Sequence, residues 1–157
     1  MITKPLINNL LEYSRLHPDG FTVRIHHGVI KDFPVTLLNR YVVAKKTIIT
    51  IEKFKDDTTT DKEIIAGHSL IIYPFLYVNG KLIKEDFYMG GWYEKHTNTY
   101  YIEVVSLYNS LVDALLIGEY LRQISIYDLL DKEEIPVKET LKNLGIIPNR
   151  ESSPKII

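Results

Sequence analysis

Residues 90–128 read GGWYEKHTNTYYIEVVSLYNSLVDALLIGEYLRQISIYD, and they contain the clearest folding signals of the chain. Two runs in this region, Tyr88–Glu94 and Thr99–Val105, are rich in aromatic and β-branched residues, which favour strands. The polar residues 95–98 between them are typical of a turn, so the sequence predicts a β-hairpin. The glycine pair at 90–91 lowers strand propensity and indicates either a bulge or a close approach of another backbone.

The alternation of side chains along a strand separates the hairpin residues into two faces. If Glu94 pairs with Thr99, then Trp92 lies opposite Tyr101. The face without charge is expected to point inward and consists of Met89, Tyr93, Tyr100, Ile102 and Val104. The other face mixes carboxylates with aromatic rings, so we expect it to be half exposed to water. Its members are Tyr88, Trp92, Glu94, Tyr101, Glu103 and Val105.

A helix is predicted directly after the hairpin. Ser110 is a favourable N-cap residue, and Asp113 three positions later makes a weaker version of the capping box. Apolar residues then recur at helical spacing and predict a buried stripe of Leu111, Ala114, Leu115, Gly118 and Leu121. Gly118 indicates that this helix packs closely on the sheet. Ile124–Leu130 predicts a strand and Glu133–Val137 an edge strand, which completes a β-β-α-β unit.

The remaining elements are predicted from the same periodicities. Residues 1–16 predict a helix that starts near Thr3, with an apolar side of Leu6, Leu10, Tyr13 and Leu16. Phe21–His27 alternates between apolar and polar residues and predicts a strand, as does the long β-type run Arg40–Lys53. A last short helix is predicted at residues 138–144.

Residues 61–84 are compatible with two interpretations. Apolar residues at helical spacing after Asp61 favour a second helix, kinked at Pro74. Asn79-Gly80 would then end that helix, or else form the turn of a hairpin between residues 75–78 and 81–84. We favour the kinked helix.

These elements together predict the α+β class. We expect a single domain at residues 1–147, with a mostly antiparallel sheet, helices packed on one face and the β-β-α-β unit at the C-terminal end. A chain of 157 residues is long enough to bury one substantial core. Residues 148–157 are expected to form a mobile tail.

The composition narrows the possible environments and partners. A net charge of −1 gives no general attraction to nucleic acids or anionic membranes. The chain has no cysteine, which excludes disulfides, thiolate metal sites and cysteine nucleophiles. No run reaches the roughly 18 apolar residues of a transmembrane helix, and polar residues interrupt the apolar run that a secretory signal needs. We therefore expect a soluble, cytoplasmic protein that has no membrane partner.

Four short motifs carry a resemblance to a known group of proteins. They are Gly-Phe-Thr-Val at 20–23, Gly-Gly-Trp-Tyr at 90–93, Tyr-Tyr-Ile-Glu at 100–103, and Asp-Ala-Leu at 113–115 followed by Gly118 and Gln-Ile-Ser-Ile-Tyr-Asp at 123–128. Across most of its length the chain resembles small uncharacterised proteins carried by phages and mobile elements of gut Bacteroidetes-like bacteria. These motifs are structural and imply no activity. The resemblance implies an accessory protein in the host cytoplasm, acting on a host component such as a defence protein, or else a part of the virion.

The residues that most often perform chemistry are not arranged for it here. His26 and His27 are adjacent on a predicted strand, so they point to opposite faces and cannot share one metal ion. The acidic residues at 56–63 do not have the calcium-loop spacing. Glu94 and Glu103 form a carboxylate pair beside aromatic rings, as sugar-cleaving sites do, but they flank those rings on opposite sides. We therefore predict no catalytic residue, no metal and no cofactor.

The favoured hypothesis is a non-enzymatic protein-interaction module. Aromatic side chains dominate the energetics of protein interfaces. We predict that the half-exposed hairpin face contacts a protein partner or a second copy of the chain, through Tyr88, Trp92, Glu94, Tyr101 and Glu103.

Two other hypotheses remain from the sequence. A basic strip could bind single-stranded nucleic acid by stacking and charge, and it would consist of Arg24, His26, Arg40, Lys45 and Lys46 with Tyr41. The nearly neutral net charge makes nucleic acid the less favoured partner. The third hypothesis is a small hydrolase or ligand-sequestering protein with a pocket between helix 110–122 and the sheet.

Overall fold

The computed structural model of the protein describes residues 3–52, 62–65, 77–78, 81–82 and 86–146. Its helices are α1 (Lys4–Leu16), α2 (Leu111–Tyr120) and α3 (Val137–Asn143), and a 3-10 turn covers Leu37–Asn39. Its strands are β1 (Gly20–His26), β2 (Val29–Lys31), β3 (Tyr41–Glu52), β4 (Lys62–Ile65), β5 (Tyr77–Val78), β6 (Lys81–Leu82), β7 (Asp86–Glu94), β8 (Thr99–Tyr108), β9 (Ser125–Asp128) and β10 (Glu133–Pro136).

Seven of the described strands form one hydrogen-bonded series in the order β10-β9-β3-β8-β7-β1-β2, and β4 pairs with the end of β3. Strand β1 runs antiparallel to both β2 and β7, and β9 runs antiparallel to both β10 and β3. The predicted α+β class with a mostly antiparallel sheet is therefore confirmed. Strands β7 and β8, helix α2 and strand β9 follow one another as the predicted β-β-α-β unit.

The chain forms two compact units. The first consists of Met1–Phe33 with Lys46–Val104, and the second of Pro34–Lys45 with Val105–Ile157. The predicted boundary between a domain at residues 1–147 and a tail at 148–157 stays a prediction, because it lies outside the described residues.

In the first unit, helix α1 shares a hydrophobic core with strands β1, β7 and β8. The hydroxyl of Thr3 caps α1 by accepting a hydrogen bond from the Leu6 amide at 3.3 Å, which agrees with the predicted start of the helix near Thr3. Leu6 and Leu10 are buried, but Leu16 is 76% exposed, so its assignment to the apolar side is wrong. Leu16 lies six positions after Leu10, about 240° further around the helix, and this places it off the buried stripe.

The hairpin forms where the sequence predicts it, because β7 ends at Glu94 and β8 begins at Thr99. The uncharged face points inward as predicted. Met89, Tyr100 and Ile102 are fully buried, Val104 is 6% exposed, and Tyr93 packs against this core while only partly buried. The hydroxyl of Tyr100 donates to the carbonyl oxygen of His17 at 2.8 Å, which fixes this ring beneath the sheet.

Gly91 does not mark a bulge in the pairing of β7 with β1, and the groups that approach it closely are two side chains and not another backbone. Strands β1 and β7 pair one to one from Gly20↔Trp92 to His26↔Asp86. A Cβ atom at Gly91 would lie 2.7 Å from the hydroxyl oxygen of Tyr100 and 2.8 Å from Cδ1 of Phe21. Only glycine leaves room for these two rings against the strand.

The second unit has its own core of α2, α3, β9 and the start of β3. The Ser110 hydroxyl caps α2 by accepting a hydrogen bond from the Asp113 amide at 3.2 Å. A Cβ at Gly118 would lie 3.1 Å from Ile126 and 3.2 Å from Val137, so the predicted close packing of α2 is present. Ala114 and Leu115 are fully buried beside it.

The prediction of a helix after Asp61 is wrong wherever the structure describes this region. Lys62–Ile65 is strand β4, which pairs with β3 from Ile49↔Ile65 to Glu52↔Lys62. Strands β5 and β6 pair antiparallel as Tyr77↔Leu82 and Val78↔Lys81, which agrees with the hairpin alternative and not with the helix. A short apolar run fits either periodicity, and here pairing with β3 determines the outcome. Residues 66–76, including Pro74, lie outside the described residues.

Candidate functional site

The centre of the candidate site is a stacked aromatic pair on the hairpin. The rings of Trp92 and Tyr101 have centroids 5.0 Å apart and an interplanar angle of 25°. This contact agrees with the predicted register, which sets the two residues opposite each other on β7 and β8. Trp92 is 38% exposed and Tyr101 is half-buried, so the pair forms part of the outer surface of the first unit.

Glu103 fixes the orientation of the indole. One of its carboxylate oxygens accepts a hydrogen bond from Nε1 of Trp92, and the other accepts from the Thr47 hydroxyl at 3.2 Å. The sequence predicts a half-wet face here, yet Glu103 is only 7% exposed. Burial raises the pKa of Glu103, and the hydrogen bonds from Trp92 and Thr47 lower it by a smaller amount.

Glu94 has a different environment at the tip of the hairpin. Its carboxylate accepts hydrogen bonds from the amides of His96 at 2.9 Å and Thr97 at 2.7 Å, and from the Thr97 hydroxyl at 2.5 Å. The hydroxyl of Thr97 and these amides lower the pKa of Glu94. Glu94 therefore stays ionised and closes the turn.

Tyr88 lies nearer the start of β7 and completes the predicted set of contact residues. Its ring meets Phe33 edge to face, with centroids 5.2 Å apart and an interplanar angle of 71°. We call the residues Tyr88, Trp92, Glu94, Tyr101 and Glu103 the aromatic face. The structure brings Trp92, Tyr101 and Glu103 into direct contact, whereas Tyr88 and Glu94 contact other neighbours.

The residues of the basic strip are largely engaged by carboxylates. Arg24 binds Asp86 at 2.7 Å, and Nδ1 of His26 lies 2.5 Å from the other oxygen of that carboxylate. In the second unit, Arg40 donates through Nε and Nη2 to the buried carboxylate of Asp128, at 2.9 and 2.8 Å.

Arg40 also contacts Asp131 at 3.0 Å. The guanidinium of Arg40 lowers the pKa of Asp128. Both arginines of the strip are therefore compensated by internal carboxylates, which weighs against a phosphate-binding surface made from them.

Two regions bear on the enzyme hypothesis. An open groove of about 300 Å³ between α1 and β2 is lined by Asn9, Glu12, Tyr13, Leu16, Val29 and Ile30, and this lining contains one carboxylate. The pocket predicted beneath helix 110–122 coincides with the close packing of Gly118 on Ile126 and Val137. In the described parts of the chain, no three His, Asp or Glu side chains are grouped to hold a metal.

The sequence indicated the aromatic face but not its support. Thr47 was not a candidate, because it lies 56 residues before Glu103 and meets it only through pairing of distant strands. The ion pair between Arg40 and Asp128 joins residues 88 positions apart, so it could not be predicted from the sequence either. Neither contact has a local signal in the sequence.

Comparisons of the chain with protein-family models, with curated proteins and with solved structures found no match. They leave the resemblance to phage and mobile-element proteins untested. Among the described residues, no helix is long and apolar enough to cross a membrane.

Proposed function

We propose that this protein is a non-enzymatic interaction module that binds a protein partner through the aromatic face. The observation that carries the proposal is the Trp92–Tyr101 stack, which is partly exposed and held by Glu103. Interface hot spots are enriched in tryptophan and tyrosine. A ring held in place before binding loses little conformational entropy when the partner arrives.

The surroundings of the stack support binding better than catalysis. The carboxylate of Glu94 is occupied by hydrogen bonds from its own turn, and that of Glu103 by hydrogen bonds from Trp92 on β7 and Thr47 on β3. Among the residues that the structure describes, Glu103 interacts with no ionisable group and Glu94 interacts only with His96 at the tip of the hairpin, so neither belongs to the acid–base pair in a cleft that catalysis uses. The compensated arginines also leave nucleic acid as the less favoured partner.

The biological setting is a further part of the proposal. The resemblance supports an accessory protein of a phage or mobile element that acts on a host component, for example in defence, or that serves in the virion. The identity of neighbouring genes would test this setting independently of the binding site.

Affinity capture from a host lysate tests the proposed function. We expect a partner that is retained by the wild-type protein and lost with Trp92→Ala and with Tyr101→Ala. Tyr120→Ala is the matched control, because Tyr120 is also 38% exposed but belongs to the second unit. Light scattering on the same variants distinguishes a second copy of the chain from a different protein.

The proposal fails if both alanine variants, folded by circular dichroism, keep every captured protein and the oligomeric state of the wild type. It also fails if Tyr120→Ala loses the same partner, because the effect would then not be specific to the aromatic face.

A further inference from the structure

Neither carboxylate of the aromatic face is bound by an arginine or a lysine among the described residues, although Glu94 interacts electrostatically with His96. Glu103 is held by the Trp92 indole and the Thr47 hydroxyl, and Glu94 by the amides and hydroxyl of its own turn. Asp86 and Asp128 differ from them, because each is bound to an arginine. The negative charge of Glu103, which contacts Trp92, therefore has no arginine or lysine partner in the described parts of the chain.

The state of the indole also restricts what it can bind. Its only hydrogen-bond donor, Nε1–H, is used by Glu103, so the exposed part of Trp92 offers the face and edge of a π system. The face of an aromatic ring is electrostatically negative and attracts cations, and tryptophan is the strongest of these rings. Donation from Nε1–H to a carboxylate adds electron density to the ring and strengthens this attraction.

We infer that the aromatic face receives a lysine or arginine side chain of the partner, which lies on the Trp92 indole and compensates the carboxylates of Glu103 and Glu94. This inference rests on the proposed function and specifies the chemistry of the partner as a basic segment of a protein. Arginine fits best, because its planar guanidinium stacks on an aromatic face and is weakly hydrated.

A pair of model peptides tests the inference with the intact protein. The probes are acetyl-Gly-Arg-Gly-amide and the same peptide with citrulline, which keeps the shape of arginine but has no charge. Trp92 is the single tryptophan of the chain, so its fluorescence reports on this site alone. We expect a saturable change with the arginine peptide and binding at least about threefold weaker with the citrulline peptide.

Variants show whether the carboxylates contribute. Glu103→Gln keeps an oxygen acceptor for Nε1 of Trp92 but removes the charge, so we expect roughly threefold weaker binding of the arginine peptide. Glu94→Gln is the second variant, because Glu94 lies at the surface of the turn and tolerates a change better than the buried Glu103. Both variants should reduce the difference in binding affinity between the arginine peptide and the citrulline peptide.

Equal binding of the arginine and citrulline peptides, or no saturable response to either, would overturn the inference. The inference would also be overturned if Glu103→Gln and Glu94→Gln both kept the wild-type ratio of affinities for the arginine and citrulline peptides. If the captured partner is lost with Trp92→Ala while the peptides show no discrimination, the binding site is right and its proposed cationic ligand is wrong. If the partner is retained with Trp92→Ala, the proposed function itself fails.

Discussion

Replacement of Gly91 by alanine is the sharpest test of the packing that supports the aromatic face. Gly91 precedes Trp92 on β7, and the inner side of the strand at this position is filled by Phe21 and Tyr100. The ring of Tyr100 is fully buried and tied to the His17 carbonyl at 2.8 Å, so it cannot move away at low cost. Phe21 is less buried and is the ring that must shift.

The expected cost combines two effects. Overpacking a filled site costs about 1–3 kcal/mol, and the gain from replacing glycine in a strand offsets roughly 0.5–1 kcal/mol of it. Because the added Cβ would lie under 3 Å from both rings, the upper part of the overpacking range applies, about 2–3 kcal/mol. We therefore expect Gly91→Ala to lower the free energy of unfolding by about 1–2.5 kcal/mol, a loss of roughly 2–10 °C in Tm for a chain of this length. Urea unfolding followed by far-ultraviolet circular dichroism measures this directly.

A double-mutant cycle shows whether the clash is the cause. Phe21→Leu removes the ring that the new methyl group meets, so Gly91→Ala should cost less in that background, with a coupling energy of about 0.5–1 kcal/mol. Gly28→Ala is the comparison without a clash, because nothing lies within 4 Å of the added Cβ. Its cost comes from the positive φ of +76° alone and should be the same in the Phe21→Leu background. The packing argument is refuted if Gly91→Ala is as stable as the wild type, or if its cost is unchanged in Phe21→Leu.

Two further predictions concern the buried carboxylates. Burial raises the pKa of Glu103 above its ordinary 4.5, so the stability linked to its proton is full below pH 4.5 and is lost as the pH rises through the folded-state pKa. We therefore measure the free energy of unfolding in urea from pH 4 to 8 and expect that of Glu103→Gln to increase relative to that of the wild type as the pH rises. A difference between the two proteins that does not change with pH would contradict the burial of a charge. Arg40→Lys keeps the charge but loses the two-pronged contact with Asp128, so we expect thermal unfolding to show a loss of about 1–2 kcal/mol. An unchanged Tm would show that the two-pronged geometry contributes nothing beyond the charge.

Local signals predicted a large part of the fold. The hairpin residues, the Ser110 cap and the Gly118 contact each depend on neighbours in the sequence, and each was predicted correctly. Lys62–Ile65 was not, because its short apolar run fits a helix or a strand and only pairing with β3 distinguishes them.

The candidate site likewise combines contacts that the local sequence predicts with contacts that it does not predict. The opposition of Trp92 and Tyr101 follows from the register of one hairpin and could be predicted. The burial of Glu103 could not, because it depends on Thr47 and on strand β3, which come from a distant part of the chain. For the same reason, Arg40 is predicted from the sequence to belong to a basic surface, whereas in the structure it pairs with Asp128.

The most direct test of the account is to observe Trp92 while the captured partner binds. Incorporation of fluorotryptophan labels only this position, because the chain has one tryptophan. Fluorine NMR should then show a single resonance that shifts or broadens as partner is added and that saturates with the binding curve. A partner that binds fully while this resonance keeps its position and width would contradict the claim that the aromatic face is the contact surface.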